Sequence, residues 1–171
     1  MRKIFLSLIG SLVVLFAMSQ DKMYKHDGEK LDVKIVKVAE YTIIYKFPGE
    51  DAEQTIGKLA VNKIVYASGR TEEVSDKVVV NGKDDWENVQ IIEDKTQIIG
   101  LKKKDEIRGK TSGFMNYHTA GTADKKATRK LKEAAAEMGC PFVLMTGDND
   151  ARVGTGGTNQ GIKKGFAYSY K

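Results

Sequence analysis

The sequence predicts an α+β protein in which a small all-β, barrel-like domain is followed by a β-rich domain with one main helix packed on a sheet. Three observations predict this. Short alternating apolar segments separated by turn residues fill the first half. One amphipathic helical segment with a stop signal covers residues 127–139. A continuous apolar run at residues 142–145 follows it, as expected for a strand that is covered on both faces.

Residues 1–19 predict a secretory signal peptide. Two basic residues precede an uninterrupted apolar segment at residues 4–18, and small residues stand just before the bond between Ser19 and Gln20. A membrane anchor is the alternative, but an apolar run of about 20 residues is needed to span a bilayer comfortably. We therefore expect a periplasmic or secreted protein, with no transmembrane span in the mature chain.

Cleavage would remove 19 of the 171 residues, leave 152, and lower the formal charge from +5 to +3. The lysines are interleaved with acids, so nucleic acid is not an expected partner. The single cysteine, Cys140, cannot form an internal disulfide and is too far from the cleavage site to carry a lipid anchor. The mature length allows one domain or two small ones, and the polar sequence near Asn81 predicts domains at residues 20–81 and 82–171.

The first of these domains is predicted to contain five short strands, at residues 31–38, 41–47, 54–60, 65–67 and 71–74. Residues 61–64 are interpreted as a short turn, and Ser68-Gly69-Arg70 as a hairpin turn. Such a series of strands favours a barrel or curled sheet that closes its own edges. The three consecutive valines at residues 78–80 either close this barrel or begin the link to the second domain.

Four segments of the first domain form a pattern that covers about a third of the chain: Tyr24-Lys25-His26-Asp27-Gly28-Glu29, residues 33–38, residues 43–47, and Val61-Asn62-Lys63-Ile64-Val65-Tyr66-Ala67-Ser68-Gly69. This pattern resembles a short β domain found in many uncharacterised exported proteins of Gram-negative bacteria. The resemblance implies export and domain limits, and it implies no activity.

The main helix of the second domain is predicted from apolar residues at helical spacing: Ala127, Leu131, Ala134, Ala135 and Met138. The alanines make this face thin, so we expect the helix to lie close to the sheet that it covers. Thr122 or Asp124 is expected to cap its start, and Gly139 followed by Pro141 to end it. Arg129 and Glu133 stand four residues apart and are expected to pair.

The remaining elements of the second domain are strands, predicted at residues 86–92, 98–101, 114–117, 142–145 and 162–170. The last strand carries Phe166, Tyr168 and Tyr170 on one face. In the second domain, the order of helix, glycine stop and strand at residues 127–144 resembles the core of a family of small envelope proteins. This family includes the sensor lipoprotein of the Rcs phosphorelay and the heavy-metal-binding domains related to it in fold. The resemblance implies a helix on a sheet. The sensor's disulfide cysteines and lipid anchor have no counterpart here.

Three side chains are weighed as nucleophiles or metal ligands. Cys140 is interpreted as a small buried apolar residue, with a reactive thiol as the alternative. A Cys–His nucleophile pair would need His26 or His118 beside it. Two histidines and one cysteine spread over the chain do not have the spacing of zinc ligands, so we expect no structural zinc and no cofactor.

Asp148 and Asp150 begin a glycine-rich loop at residues 147–161. They start like a calcium loop, but Arg152, Val153 and Asn159 stand where that loop needs a ligand, a glycine and a glutamate. A phosphate loop is also disfavoured, because a strand and not a helix follows the glycines. The interpretation is a mobile surface hairpin loop.

These observations favour a non-enzymatic exported protein with a binding or structural role in the envelope, whose partner is an unknown envelope protein or a small ligand. The alternative is a small-ligand- or metal-binding envelope stress protein that uses the loop at residues 147–161 and the aromatic strand. A hydrolase with dispersed catalytic residues is a third hypothesis. No motif in the sequence dictates a reaction.

Overall fold

The computed structural model describes residues 20–111, 120–147, 152–154 and 158–171 of the chain. These residues form two main β-sheets and one long helix, which confirms the α+β class. The predicted signal peptide lies outside the described residues. Within the described ranges, no helix is long and apolar enough to cross a lipid bilayer.

The first sheet contains six antiparallel strands. They are β1 (Asp21–Lys25), β2 (Lys30–Val38), β3 (Thr42–Lys46), β4 (Glu53–Gly57), β5 (Val61–Val65) and β6 (Thr71–Glu73). Their order across the sheet is β4-β3-β2-β1-β5-β6. Alternate side chains point into one core, where Met23, Val33, Ile43 and Ile64 are fully buried.

No closed barrel is found among the described strands, so this part of the fold prediction is corrected. The sheet is open, because its edge strands β4 and β6 do not pair with each other. The last residue of β4 meets a later part of the chain instead: the Gly57 N–H donates to the Ile99 carbonyl over 2.8 Å. The other edge strand has only three residues. The chain after residue 81 thus covers the edge that closure would have used.

Residues 61–64 were predicted as a turn and instead belong to β5. Val61 and Ile64 are both fully buried although they stand three residues apart. A β-bulge explains the spacing, because Lys63 pairs with Tyr24 and Val61 pairs with Lys25, which leaves Asn62 as the extra residue. The predicted hairpin turn at residues 68–70 is confirmed, with the Gly69 N–H donating to the Tyr66 carbonyl.

The second sheet has four strands, β7 (Gln90–Ile92), β8 (Lys102–Lys110), β9 (Phe142–Gly147) and β12 (Ile162–Ser169), in the order β7-β9-β12-β8. A separate hairpin joins β10 (Arg152–Gly154) to β11 (Thr158–Gln160). The predicted strand after the helix is therefore internal. Its side chains face two ways: Val143 belongs to the core under the helix, whereas Phe142 and Leu144 belong to a core on the opposite face.

The helix α1 (Ala120–Glu137) packs closely on the second sheet. Ala127, Leu131 and Ala135 are fully buried, as their spacing predicts. The contact is close because Gly109 on β8 has no side chain: a Cβ atom there would stand 2.0 Å from the Ala127 carbonyl oxygen. The close approach expected from the small alanines is confirmed. Arg129 and Glu133 also pair as predicted, with Nε and Oε1 2.7 Å apart.

The end of α1 follows its sequence signals. Gly139 has a positive φ of 65°. The Cys140 N–H donates to the Ala135 carbonyl and the Gly139 N–H to the Ala136 carbonyl, each over 2.9 Å, which is the Schellman pattern. Met138 differs from the prediction, because its side chain is 42% exposed and does not continue the buried face.

The start of α1 and the segment before β8 were predicted incorrectly. The helix begins at Ala120, so Thr122 and Asp124 lie inside it and do not cap it. The Asp124 carboxylate instead pairs with Lys163 Nζ on β12, 2.9 Å away. Of the strand predicted at residues 98–101, Ile98 ends a 3₁₀ helix (Lys95–Ile98) and the next three residues form a turn. Strand β8 begins at Lys102 and lies at the edge of the sheet, where its charged side chains can reach solvent. The strand predicted at residues 114–117 lies outside the described residues.

Apolar contacts join the two sheets. Leu59 and Leu101 pack against the cluster that contains Phe142, Leu144 and Tyr168. Each main sheet lies on one side of residue 81, while this cluster draws side chains from both sides. The domain limits at residues 20–81 and 82–171 stay a prediction.

The close packing of α1 leads to a test at Gly109. We expect Gly109→Ala to lower the free energy of unfolding by about 3 kcal/mol, because the added methyl group displaces helix backbone. Gly69→Ala is the control: it has open space but a φ of +85°, and should cost about 1 kcal/mol. Urea unfolding measures both values. Equal losses would contradict the packing account.

Candidate functional site: a lysine-lined groove between the sheets

A groove of about 370 Å³ opens where the two sheets meet. We call it the lysine groove. One wall is the connecting segment, residues 77–80, and the other is the end of α1 with the residues that follow it. The turn after β1, strand β8 and the C-terminal end of the chain complete the lining, with His26, Lys104, Ser169, Tyr170 and Lys171.

The groove has an apolar wall that is open to solvent. Val79 on the connecting segment is 52% exposed and Met138 after the helix is 42% exposed. Both line the groove, together with Pro141. Exposed apolar side chains that gather in a concave site commonly mark a binding surface. The Schellman end of α1 places Met138 there, because the reversal at Gly139 turns the chain away from the helix axis.

The charge of the groove is positive. Lys77, Lys104 and Lys171 contribute their side chains, and no described lining residue carries an acidic side chain. Lys77 Nζ also stands 5.8 Å from the centroid of the Tyr170 ring, within the range of a cation–π contact. Cations with flexible stems beside apolar side chains can hold a ligand that is both negatively charged and partly apolar.

His26 is held in one orientation at the inner side of the groove. The Ser75 hydroxyl donates to the carbonyls of Lys58 and Val61, at 3.0 and 2.8 Å. A hydroxyl carries a single proton, so donation from His26 Nε2 across the 2.9 Å contact to Ser75 Oγ leaves that proton for one of the carbonyls. Nδ1 is the acceptor nitrogen in that tautomer of the neutral ring.

Tyr170 links His26 to the connecting segment. Its ring lies 5.0 Å from the His26 ring and 5.5 Å from the Phe142 ring, centroid to centroid. Its hydroxyl oxygen accepts the Val78 N–H over 3.0 Å. Burial raises the pKa of Tyr170, so the hydroxyl stays protonated at neutral pH and is itself able to donate. The last aromatic residue of the chain thus fixes the wall of the groove.

Burial lowers the pKa of His26, and the positive charge of Lys77 lowers it further. Asp27 and Asp76 oppose this shift in smaller measure. The ring is therefore neutral at physiological pH. A neutral imidazole adds no charge of its own to the groove.

Cys140 lies beneath the groove and not on its surface. Its side chain is 0% exposed, and Sγ stands 3.7 Å from the Met138 carbonyl oxygen. Burial raises its pKa, although the nearby Lys104 acts in the opposite direction. These facts agree with its interpretation as a small buried apolar residue, because the thiolate form needed for reactivity is disfavoured.

The other sequence-predicted candidates, His118, Asp148 and Asp150, lie outside the described residues. Of the loop predicted at residues 147–161, the structure describes the pairing of β10 with β11. Within the described ranges, no three His, Cys, Asp or Glu side chains are grouped so as to hold a metal ion. Tyr168 and Tyr170 of the aromatic strand are largely buried, and Tyr170 alone of the three aromatics lines the groove.

Sequence reasoning missed the groove itself. It considered His26 as a partner for a cysteine or as a zinc ligand, and it did not single out Lys77 or Lys104 as binding residues. One signal was present: the three consecutive valines at residues 78–80 form a strand-like run that the sequence assigned to no strand. Comparison with known proteins finds no protein-family model, curated protein or solved structure that matches this chain.

His26 leads to a prediction about pH. Its pKa is lowered below the ordinary value of 6.5, so the folded protein binds fewer protons than the unfolded chain at and just below that pH. Its contribution to stability is present above pH 6.5 and is lost as the pH falls toward the folded pKa. We expect urea unfolding between pH 7.5 and 5.5 to show a steeper loss in the wild type than in His26→Gln. Parallel losses would contradict the lowered pKa.

Cys140 leads to a second prediction. Cys140→Ser should lower the free energy of unfolding by about 1–2 kcal/mol, because it places a hydroxyl in an apolar core. Cys140→Ala, which adds no polar group, is the control and should cost less. In the wild type, a thiol reagent should react only when urea unfolds the chain. Rapid reaction of the native protein would instead identify a reactive thiol.

Proposed function

We propose that this chain is a non-enzymatic exported binding protein that holds a negatively charged ligand or partner in the lysine groove. The observation that carries the proposal is the composition of the groove: three lysine side chains stand beside exposed apolar residues, with no acidic side chain among the described lining residues. Complementary charge attracts such a partner and orients it, while burial of Val79 and Met138 supplies binding energy.

Export is part of the same proposal. The basic start and apolar segment of residues 1–19 support a signal peptide, and the resemblance of the first domain to exported Gram-negative proteins supports an envelope location. A protein in the periplasm or outside the cell meets other envelope proteins and small ligands. A binding or structural role there needs no catalytic group.

A small-ligand-binding envelope stress protein is the second candidate. This hypothesis uses the aromatic strand, and Tyr170 of that strand lines the groove beside His26. A small ligand with an anionic group would accept a hydrogen bond from the Tyr170 hydroxyl and contact a lysine. The metal-binding form of this hypothesis depends on the loop at residues 147–161.

Charge reversal in the groove tests the proposed function. We expect the double variant Lys77→Glu, Lys104→Glu to bind anionic probes at least about tenfold more weakly than the wild type, because attraction becomes repulsion. The probes are dodecanoate and a glutamate-rich peptide, with dodecylamine as the cationic counterpart, measured by calorimetry. Lys37→Glu, on the exposed side of β2, is the matched control.

Three outcomes are informative. Binding of the anions to the wild type and to Lys37→Glu, but not to the double variant, supports the proposal. Equal binding to all three proteins, or none to the wild type, would refute it. A parallel thermal-shift panel of divalent metals addresses the alternative, since stabilisation by one metal alone would favour a metal-binding protein.

A further inference from the structure

The connecting segment has the sequence of a strand but pairs with no strand. Val78, Val79 and Val80 are consecutive β-branched residues, the type most enriched in sheets. The Val78 N–H donates to the Tyr170 hydroxyl. Among the described residues, no backbone–backbone hydrogen bond involves Val79 or Val80. The backbone of this segment therefore has hydrogen-bonding groups that no described main-chain group uses.

The side chains of the connecting segment also alternate as in a strand. Lys77 and Val79 are exposed, Val78 is half-buried and Val80 is buried. Val78 and Val80 pack into the core under α1, so the segment is anchored by one face. Open space borders the segment, because its residues 77–79 line both the lysine groove and a second depression of about 460 Å³, which is also lined by Glu87, Asn88 and Gln90.

We infer that the lysine groove binds an extended acidic segment of a partner protein, which adds as a strand to the connecting segment. The inference rests on the proposed function and names its partner class. An unpaired strand edge is a template for pairing with another chain, and peptide recognition by strand addition uses main-chain hydrogen bonds for affinity and alternate side chains for specificity.

The groove supplies both apolar and cationic contacts. Lys77 and Val79 lie on the same exposed face of the connecting segment. Met138, Lys104 and Lys171 are among the other lining residues. A segment that carries both acidic and apolar residues matches this arrangement, because its carboxylates can pair with the lysines while its apolar side chains contact Val79 and Met138. A basic segment is repelled by the same lysines.

The test uses the whole mature chain and a fluorescent hexapeptide of alternating valine and glutamate, followed by anisotropy. We expect saturable binding with one peptide per chain. N-methylation of alternate peptide amides should weaken it about tenfold, because two or so main-chain hydrogen bonds are lost. The valine–lysine peptide of the same length should not bind.

Two valine variants locate the binding surface. Val79→Asp should weaken binding of the valine–glutamate peptide about tenfold, because it adds a negative charge at the groove. Val36→Asp is the matched control, since Val36 on β2 is similarly exposed at 47% and lies away from the groove, and it should bind as the wild type does. Thermal unfolding confirms that each variant is folded.

Each outcome separates the inference from the proposed function. Equal binding of the N-methylated peptide overturns strand addition and leaves an anion-binding groove. Saturable binding of dodecanoate without binding of the peptide also overturns it, and identifies a small amphiphile as the ligand. Equal losses in Val79→Asp and Val36→Asp place the peptide elsewhere. If no anionic probe binds at all, the proposed function fails together with the inference.

Discussion

Burial of both faces of β9 is the constraint on which the rest of this structure depends. Val143 faces the core under α1, whereas Phe142 and Leu144 face a second core that also receives Leu59 from the first sheet. A three-residue run thus joins the helix on one side to the N-terminal sheet on the other. Because side chains alternate along a strand, both contacts need a continuous apolar sequence.

The groove follows from this arrangement. The chain must leave α1 and enter β9 within a few residues, and the Schellman turn at Gly139 accomplishes this while leaving Met138 in solvent. The chain must also pass from the first sheet to the second, and residues 77–80 do so with Val80 held in the helix core. The space between these two segments is the lysine groove. Its lining residues belong to strands, turns and ends that are distant in sequence.

Local signals predicted the buried face and the end of α1 and the strand that follows it. Each of these features is formed by residues that are close in sequence, so interactions within a short segment determine it. They are the apolar face of alanines and Leu131, the glycine at the helix end, and the apolar strand. Predictions were wrong where a contact with a residue distant in sequence determined the local structure. Asp124 on α1 pairs with Lys163 on β12 and does not cap the helix. The bulge at Asn62 depends on the pairing of β5 with β1. The open first sheet has the same origin, since Gly57 bonds to Ile99 at its edge.

Of the candidate site, the sequence by itself indicated the burial of Cys140 and the position of the helix end beside it. It also determined the α+β class and the central strand, because hydrophobic period and stop residues act locally. Only the tertiary structure decided that His26, Lys77, Lys104 and Tyr170 share one groove, and that the run of valines at residues 78–80 pairs with none of the described strands. The physical reason is that proximity between distant residues, and the satisfaction of a strand's hydrogen bonds, are properties of the packed chain and not of any segment of it.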